Sequence, residues 1–333
     1  MHILFCEVEE WMKDYFTSRL SGFELEFTES KMQDVAAGSS AEIVSIFVNS
    51  RVDVELLKNF PNLKLLATRS TGFDHIDNDA CKKKNITVCN VPSYGEHTVA
   101  EFTFALLLAL SRKIYPALSR VHQQGTFHTE GLKGFDLFGK TIGVIGTGRI
   151  GCHVIDIANG FGMQVLAYDP YPKKEMEQTC HMKYVSLEEL LSKSDVITIH
   201  TPYMPSTHHL LNSTNMRSIK KGAVLINTAR GAIVDTMALV ESLSSGVLSG
   251  AALDVLEEEG HVGEEWQFMH ANHPKLAQME ALLADHQLLS LPNVLITPHN
   301  AFNTQEAMER ILEVTIENIM HFQDGTPQNL IKA

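Results

Sequence analysis

The sequence is short of cysteine, of long apolar runs and of positive charge. Its five cysteines (Cys6, Cys81, Cys89, Cys152 and Cys180) are odd in number, widely scattered and never set in a C-x-x-C pair. Neither a disulfide framework nor a zinc knuckle is signalled, and all five are expected to be reduced. The longest greasy run, Phe102 to Leu110, is nine residues, where a membrane-crossing helix needs about 20. Lys and Arg number 27 against 40 Asp and Glu, a formal net charge of -13. That balance favours solubility and argues against nucleic acid, whose phosphates call for clustered bases. The opening MHILFCEVEE reads as a strand followed by acid, without the early positive charge or small-residue cleavage site of a secretory leader. Cytoplasm is the expected location, with no membrane partner.

Histidine, by contrast, is plentiful, with sixteen in the chain. His261, Glu264, Glu265, His270 and His273 crowd one loop-like stretch, but no H-E-x-x-H or comparable ligand spacing appears there. The expectation is solvated surface, with no metal.

At 333 residues, 44% hydrophobic and 20% charged, the chain is globular and long enough for two domains. Short apolar runs alternate with stretches of helical length. HILFCEV, FELEFT, AEIVSIFV, LKLLATRS and ITVCNVP are the first strand candidates, with helical segments expected between the first four. A long helix follows from about Glu96 to Ile114, then a loop with Gly125, Gly131 and Gly134. A second series runs TIGVIG, QVLAYD, KYVS, DVITIH, AVLINT, GAALDV and NVLITP. Such alternation predicts an α/β protein with parallel sheets covered by helices, the second suited to a doubly wound dinucleotide-binding sheet. The stretch between Glu257 and Pro292 interrupts the rhythm and reads as an insertion, and a final helix spans about Thr304 to Phe322. No internal repeat or low-complexity segment is present.

Gly146-Thr147-Gly148-Arg149-Ile150-Gly151 follows the apolar run Ile142 to Ile145 and opens an amphipathic stretch. In that setting, G-x-G-x-x-G marks a dinucleotide site. Gly146 permits the tight turn, Gly148 lets backbone approach the pyrophosphate, and Gly151 lets the helix pack on the strand. The helix N-terminus then offers N–H groups to the phosphates. Eighteen residues beyond Gly151, Asp169 closes the next strand. A carboxylate there accepts the adenosine-ribose hydroxyls and repels a 2′-phosphate, which predicts NAD over NADP.

Three further segments end strands of the second series: Asn227 to Gly231, Leu253 to Glu259 and Thr297 to His299. Open α/β sheets bind ligands beyond their carboxyl ends. An arginine there can grip a carboxylate with two parallel bonds, a histidine can exchange a hydroxyl proton near neutral pH, and an acid can orient the imidazole.

On these segments the chain resembles the D-isomer-specific 2-hydroxyacid dehydrogenases, and most of all their D-lactate dehydrogenase branch. The match extends over Tyr168-Asp169-Pro170-Tyr171-Pro172, Asn227 to Gly231, Gly250 to Val255 and Thr297 to Phe302. The resemblance implies Arg230 as the carboxylate-binding residue, His299 as general acid/base, and Glu259, 29 residues after Arg230, as the carboxylate partner of His299. It implies that Asp254 hydrogen-bonds the nicotinamide amide and that Arg149, Ile150, Thr201, Pro202, Thr228 and Ala229 join the cofactor site. It places a substrate loop at Arg69 to Asp74, with the backbone N–H groups of Thr71 and Gly72 on the substrate carboxylate, and puts Tyr94 in the pocket wall. Phe302, three positions after His299, would narrow the pocket toward pyruvate. Arg69 is the one base near that loop that a substrate phosphate could use.

The implied architecture is two doubly wound parallel-sheet domains with a cleft between them. Residues 1–98, completed by 302–333, form a flavodoxin-like substrate domain, and residues 99–301 form the Rossmann cofactor domain. The implied activity is interconversion of a small 2-keto acid and its D-2-hydroxy acid with NAD, by a homodimer or dimer of dimers. A glyoxylate or hydroxypyruvate reductase of the same family is the alternative within the class. A non-catalytic NAD(H)-sensing corepressor is the alternative outside it.

Overall fold

A computed structural model describes residues 1–257 and 276–331. All twelve strand candidates are strands. In the first unit, β1 (His2–Phe5), β2 (Glu24–Phe27), β3 (Ile43–Ile46), β4 (Leu65–Thr68) and β5 (Thr87–Cys89) form a parallel sheet in the order β2-β1-β3-β4-β5. In the second, β6 (Thr141–Ile145), β7 (Gln164–Tyr168), β8 (Lys183–Tyr184), β9 (Val196–Ile199), β10 (Ala223–Asn227), β11 (Leu248–Leu253) and β12 (Val294–Ile296) run β12-β11-β10-β9-β6-β7-β8. The first order is flavodoxin-like and the second a doubly wound dinucleotide sheet extended by one strand. The inner strands β3, β4, β9 and β10 are buried at every position, whereas the edge strand β2 alternates. Strands covered on both faces are mostly apolar, and the one polar residue in each of these four (Ser45, Thr68, Thr198 and Asn227) is buried with the rest.

The chain divides into one unit of Met1–Gly95 with Asn303–Ala333 and another of Glu96–Phe302. The expected boundaries were 98/99 and 301/302, and the first break falls where the Glu96–Ser111 helix begins. Within the first unit, Phe5 stacks on Phe16 and Phe27, while Leu4, Val44, Leu66 and Val88 pack on the opposite face. The helix Gln305–Gln323, capped by the Thr304 hydroxyl, packs on this unit, and Leu330 bridges Cys89 at the β5 edge. Within the second unit, Val154, Ile155 and Ala158 of the helix Arg149–Gly160 pack on one side of the sheet with Ile142 and Val144. Leu225, Leu239 and Leu288 belong to the core on the other side.

Three local expectations are corrected. Only the β1–β2 gap holds a long helix, Glu10–Arg19. The next two gaps hold short 3-10 turns, Met32–Asp34 and Leu56–Asn59. Gly38-Ser39-Ser40 in the first of those gaps and Pro61-Asn62 in the second are poor helix formers. The helix that starts at Glu96 stops at Ser111, and Lys113 turns left-handed (φ 55°). A second helix, Ile114–Gln124, then occupies the approach to the glycine loop and ends at Gly125. The stretch read as an insertion contains the helix Leu276–Ser290.

Candidate active site

Every strand of the second sheet is parallel, so the segments that follow β6, β7, β9, β10, β11 and β12 leave from one edge. That edge carries the glycine motif after β6, Asp169 after β7, Thr201 and Pro202 after β9, Thr228 to Arg230 after β10, Asp254 after β11 and His299 after β12. Strand order reverses between β6 and β9, the place where such sheets bind nucleotides. The strands that Arg230 and His299 follow, β10 and β12, are two strand spacings apart, about 10 Å.

The motif has the shape a pyrophosphate requires. Gly146 sits at φ 95°, and a Cβ there would lie 2.8 Å from the His200 carbonyl. A Cβ on Gly151 would lie 2.1 Å from the Gly146 oxygen, so the helix Arg149–Gly160 rests directly on the turn. At Gly148 a Cβ would meet nothing within 4 Å, which is open space beside the helix N-terminus. Arg149 is exposed and reaches Glu96 at 3.4 Å, while Ile150 packs on the core. Beyond β7, one Asp169 oxygen accepts the Thr147 N–H and hydroxyl, both at 2.9 Å, and the other accepts the Tyr171 N–H. Partial burial acts to raise the Asp169 pKa, but the bonds from Thr147 and Tyr171 outweigh it and hold the carboxyl below its ordinary value. Thr147, an unread x in the motif, thus ties the turn to the acid. The chemistry of this set fits NAD.

Beyond β9, the Pro202 carbonyl accepts the Thr207 hydroxyl, which fixes the loop after half-buried Thr201. Burial pushes the imidazole of His200, just before it, down to about 3, so this ring is neutral. Beyond β10, the Thr228 hydroxyl meets that of Thr103 at 3.0 Å, and the Ala229 N–H donates to Asn227. The Asn227 amide holds the Arg230 carbonyl, while the Arg230 guanidinium bonds the Ala229 carbonyl.

His299 adopts φ 50°, a left-handed conformation rare for a side chain with a Cβ. Asp254 explains how it is held. Its carboxylate, 1% exposed, accepts the Thr297 hydroxyl and the N–H groups of Asn300 and Ala301, and its carbonyl accepts the His299 N–H. Burial raises the Asp254 pKa even against these bonds. The residue expected at the nicotinamide is therefore also the brace of the loop bearing His299 and Phe302.

Glu259 lies outside the described residues, as do Glu258 and the histidines from His261 to His273. Glu257 is described. His209 Nε2 meets one of its oxygens at 2.7 Å, and the Thr236 hydroxyl donates to the other. A Cβ on Gly231 would fall 2.1 Å from the Leu256 carbonyl, so the chain after Arg230 presses on the peptide before Glu257. Glu257 is thereby committed to holding the departure of its strand.

In the first unit, the segment after β4 forms a hydrogen-bonded loop. The carbonyls of Ser70, Thr71, Gly72 and Phe73 are taken by Val91 N–H, the Asn90 amide, the Ser70 hydroxyl and Ile76 N–H. Among the described residues, no acceptor takes the N–H groups of Thr71 and Gly72. Adjacent uncommitted amides form an anion-receiving pair. Arg69 is corrected: it is 2% exposed and turned inward, donating to Ser45 Oγ and the Cys6 and Glu7 carbonyls. It is not available to a substrate phosphate. Burial lowers its pKa to about 10, so its charge persists beneath the loop. Tyr94 is half-buried, its carbonyl pinned by Arg310 at 2.6 Å. Among the described residues, no group of three His, Cys, Asp or Glu could hold a metal, and no helix is long and apolar enough to cross a membrane.

Residues 104–301 match the family model for the NAD binding domain of D-isomer specific 2-hydroxyacid dehydrogenases. The chain is 37% identical to D-lactate dehydrogenase of Escherichia coli, with 91% of each chain covered. It is 40% identical to an aromatic 2-oxoacid reductase of Clostridium sporogenes, covering 86% of this chain and 84% of that one. Among solved structures, D-lactate dehydrogenase of Aquifex aeolicus complexed with NAD and lactic acid superposes with a TM-score of 0.85 at 37% identity, covering 97% and 96% of the two chains.

Proposed function

Because this chain belongs to the D-isomer specific 2-hydroxyacid dehydrogenase family, we propose that it interconverts a small 2-keto acid and its D-2-hydroxy acid with NAD, with pyruvate and D-lactate as the principal pair. The observation that carries the reading is the shared sheet edge, where Arg230 and His299 follow β10 and β12 beside a nucleotide motif after β6. When bound, NADH would supply hydride for reduction of the keto carbon. Arg230 grips the substrate carboxylate through its two parallel N–H donors. His299 gives a proton to the carbonyl oxygen and recovers it in the reverse direction. Glu259 is assigned as the acid that orients the imidazole and favours its charged form. The amide pair of Thr71 and Gly72 is assigned to the substrate carboxylate, Tyr94 and Phe302 to the pocket wall, and Asp254 to the nicotinamide amide.

The test is NADH consumption over pyruvate, glyoxylate, hydroxypyruvate, 2-ketobutyrate and phenylpyruvate. Pyruvate should give the highest kcat/KM. The identity to an aromatic 2-oxoacid reductase favours phenylpyruvate as the second reading, and a higher kcat/KM for it would replace the first. Tight NADH binding without turnover of any of the five would make the protein a sensor.

We read the assembly as a homodimer or dimer of dimers in the cytoplasm. In its support, the helix Ile114–Gln124 buries none of its side chains, and Ile114, Leu118 and Val121, on one face, are 46, 53 and 41% exposed. Apolar stripes of this kind are normally covered. Leu118→Glu with Val121→Glu should halve the mass measured by light scattering.

A further inference from the structure

The proton count around the Ser70–Gly72 loop identifies a residue that the family reading leaves out. Ser70 Oγ donates to the Gly72 carbonyl at 2.6 Å and lies 2.7 Å from Thr68 Oγ1, which in turn lies 3.1 Å from His75 Nε2. Each hydroxyl has one proton to give. That of Ser70 is committed to Gly72, so Ser70 accepts from Thr68. The proton of Thr68 is then committed to Ser70, so Thr68 accepts from His75. The chain of donors has one direction, and it requires a proton on His75 Nε2.

Thr68 and Ser70 are 1% and 3% exposed, so water cannot replace a lost member without opening the loop. His75 itself is fixed, since its carbonyl accepts the Val52 N–H at 2.9 Å and Ile76 bridges Val52. The relay ends on the carbonyl of Gly72, the peptide neighbour of the amide pair at Thr71 and Gly72. Fixing that carbonyl restrains the torsions of Gly72, and with the Ser70 and Thr71 carbonyls held by Val91 and Asn90 it sets the peptides that carry the Thr71 and Gly72 N–H groups.

We propose that His75, acting through Thr68 and Ser70, is a positioning residue that holds the Thr71–Gly72 amides in their carboxylate-receiving orientation. The inference rests on the reading of this loop as a substrate site, and it touches neither the cofactor nor the proton-transfer residues. The three variants are His75→Leu, which removes the donor, His75→Gln, which keeps an Nε2 donor, and Ser70→Ala, which cuts the last link. Pyruvate KM and kcat are measured with NADH dissociation constants and melting curves. One lost buried hydrogen bond predicts a pyruvate KM raised roughly three- to tenfold in His75→Leu and at least as much in Ser70→Ala. The kcat and the NADH dissociation constant should stay within about twofold, and His75→Gln should recover most of the KM. A KM unchanged in both His75→Leu and Ser70→Ala overturns the proposal while leaving the substrate assignment intact. Equal losses in Gln and Leu, a fall confined to kcat, or loss of folding in both Leu and Ala variants would likewise overturn it. If the wild-type protein turns over no 2-keto acid, the substrate reading itself fails.

Discussion

The three glycines of the nucleotide motif do different jobs, and alanine at each should separate them. Gly151→Ala places a methyl 2.1 Å from the Gly146 oxygen, a backbone atom that can move only if the whole turn moves. Overpacking of this kind costs up to about 3 kcal/mol. The better helix propensity of alanine returns about 1 kcal/mol. The net loss of about 2 kcal/mol corresponds to a Tm lower by about 4–8 °C for a domain of this size. Gly148→Ala is the opposite case. Its φ of -70° and ψ of -167° suit any residue, and its Cβ meets nothing within 4 Å. Reduced freedom of the unfolded chain contributes about 0.4–1 kcal/mol, and the poorer N-cap takes away a similar amount. The Tm should therefore move by no more than about 3 °C. The same methyl would fill the open space at the helix N-terminus that the proposed pyrophosphate site needs. Losing one or more charged hydrogen bonds, each worth about 1.5–3 kcal/mol, should raise the NADH dissociation constant roughly 10- to 150-fold. Thermal melts of the free protein and fluorescence titration with NADH measure the two effects separately. The reasoning fails if Gly148→Ala binds NADH normally, or if it lowers Tm as much as Gly151→Ala does.

Asp169→Ala should weaken NADH roughly 10-fold or more and raise relative use of NADPH, and a wild-type preference for NADPH would end the assignment. Because bonds from Thr147 and Tyr171 keep the Asp169 carboxyl below its ordinary pKa, its contribution to folding is fully present above the ordinary carboxylate range. That contribution is lost only as pH falls through the lowered value, so Asp169 stays ionised above pH 5 and the factor by which Asp169→Ala weakens NADH should stay flat between pH 5 and 8 in titrations. Arg230→Lys keeps the charge but loses the fork, and kcat/KM should fall about 100-fold or more with NADH affinity unchanged. Phe302→Ala should move preference toward bulkier 2-keto acids by about 1–3 kcal/mol per methylene accommodated, read as kcat/KM ratios across the substrate panel. In Glu259→Gln the alkaline fall of the reduction rate should shift to lower pH, whereas Glu257→Gln, which disturbs the bonds to His209 and Thr236, should lower Tm and leave that limb in place.

Both sheets were legible because parallel strands buried on both faces are predominantly apolar, as β9 and β10 are apart from Thr198 and Asn227. Even the two-residue β8 was marked by its place after β7. The connections were less legible. Helices were expected in the gaps after β2 and β3, yet those gaps close with single turns, and segment length alone does not tell a helix from a loop. The helix Ile114–Gln124 was hidden because Gly125, which ends it, drew attention as the start of a loop. At the site, residue types with a fixed chemical use stood out: the glycines, Asp169, Arg230 and His299. Their positions at strand ends followed from the strand assignments.

What stayed hidden has a common physical cause. Thr147, Thr68, Ser70, Thr297 and Glu257 act by hydrogen-bonding loops at strand ends, and such bonds leave no periodic mark in a sequence. Arg69 shows how far this can mislead. An arginine beside a substrate loop invites an ionic role toward a ligand, yet Arg69 gives three hydrogen bonds to Ser45 in β3 and to Cys6 and Glu7 just after β1. A buried guanidinium needs such partners, since an unsatisfied donor there would cost about 1–3 kcal/mol or more. Asp254 makes the converse point. The family resemblance implied a direct contact with the nicotinamide, but both carboxylate oxygens are engaged in holding the turn that carries His299 at positive φ. A left-handed histidine persists only where its surroundings over-determine it, and Asp254 supplies that constraint. Loss of Asp254 should therefore be felt first as misplacement of His299, the proposed proton donor, seen as a fall in kcat that exceeds any change in NADH affinity. An Asp254→Ala variant that lost NADH binding and kept its kcat would return the residue to the cofactor alone.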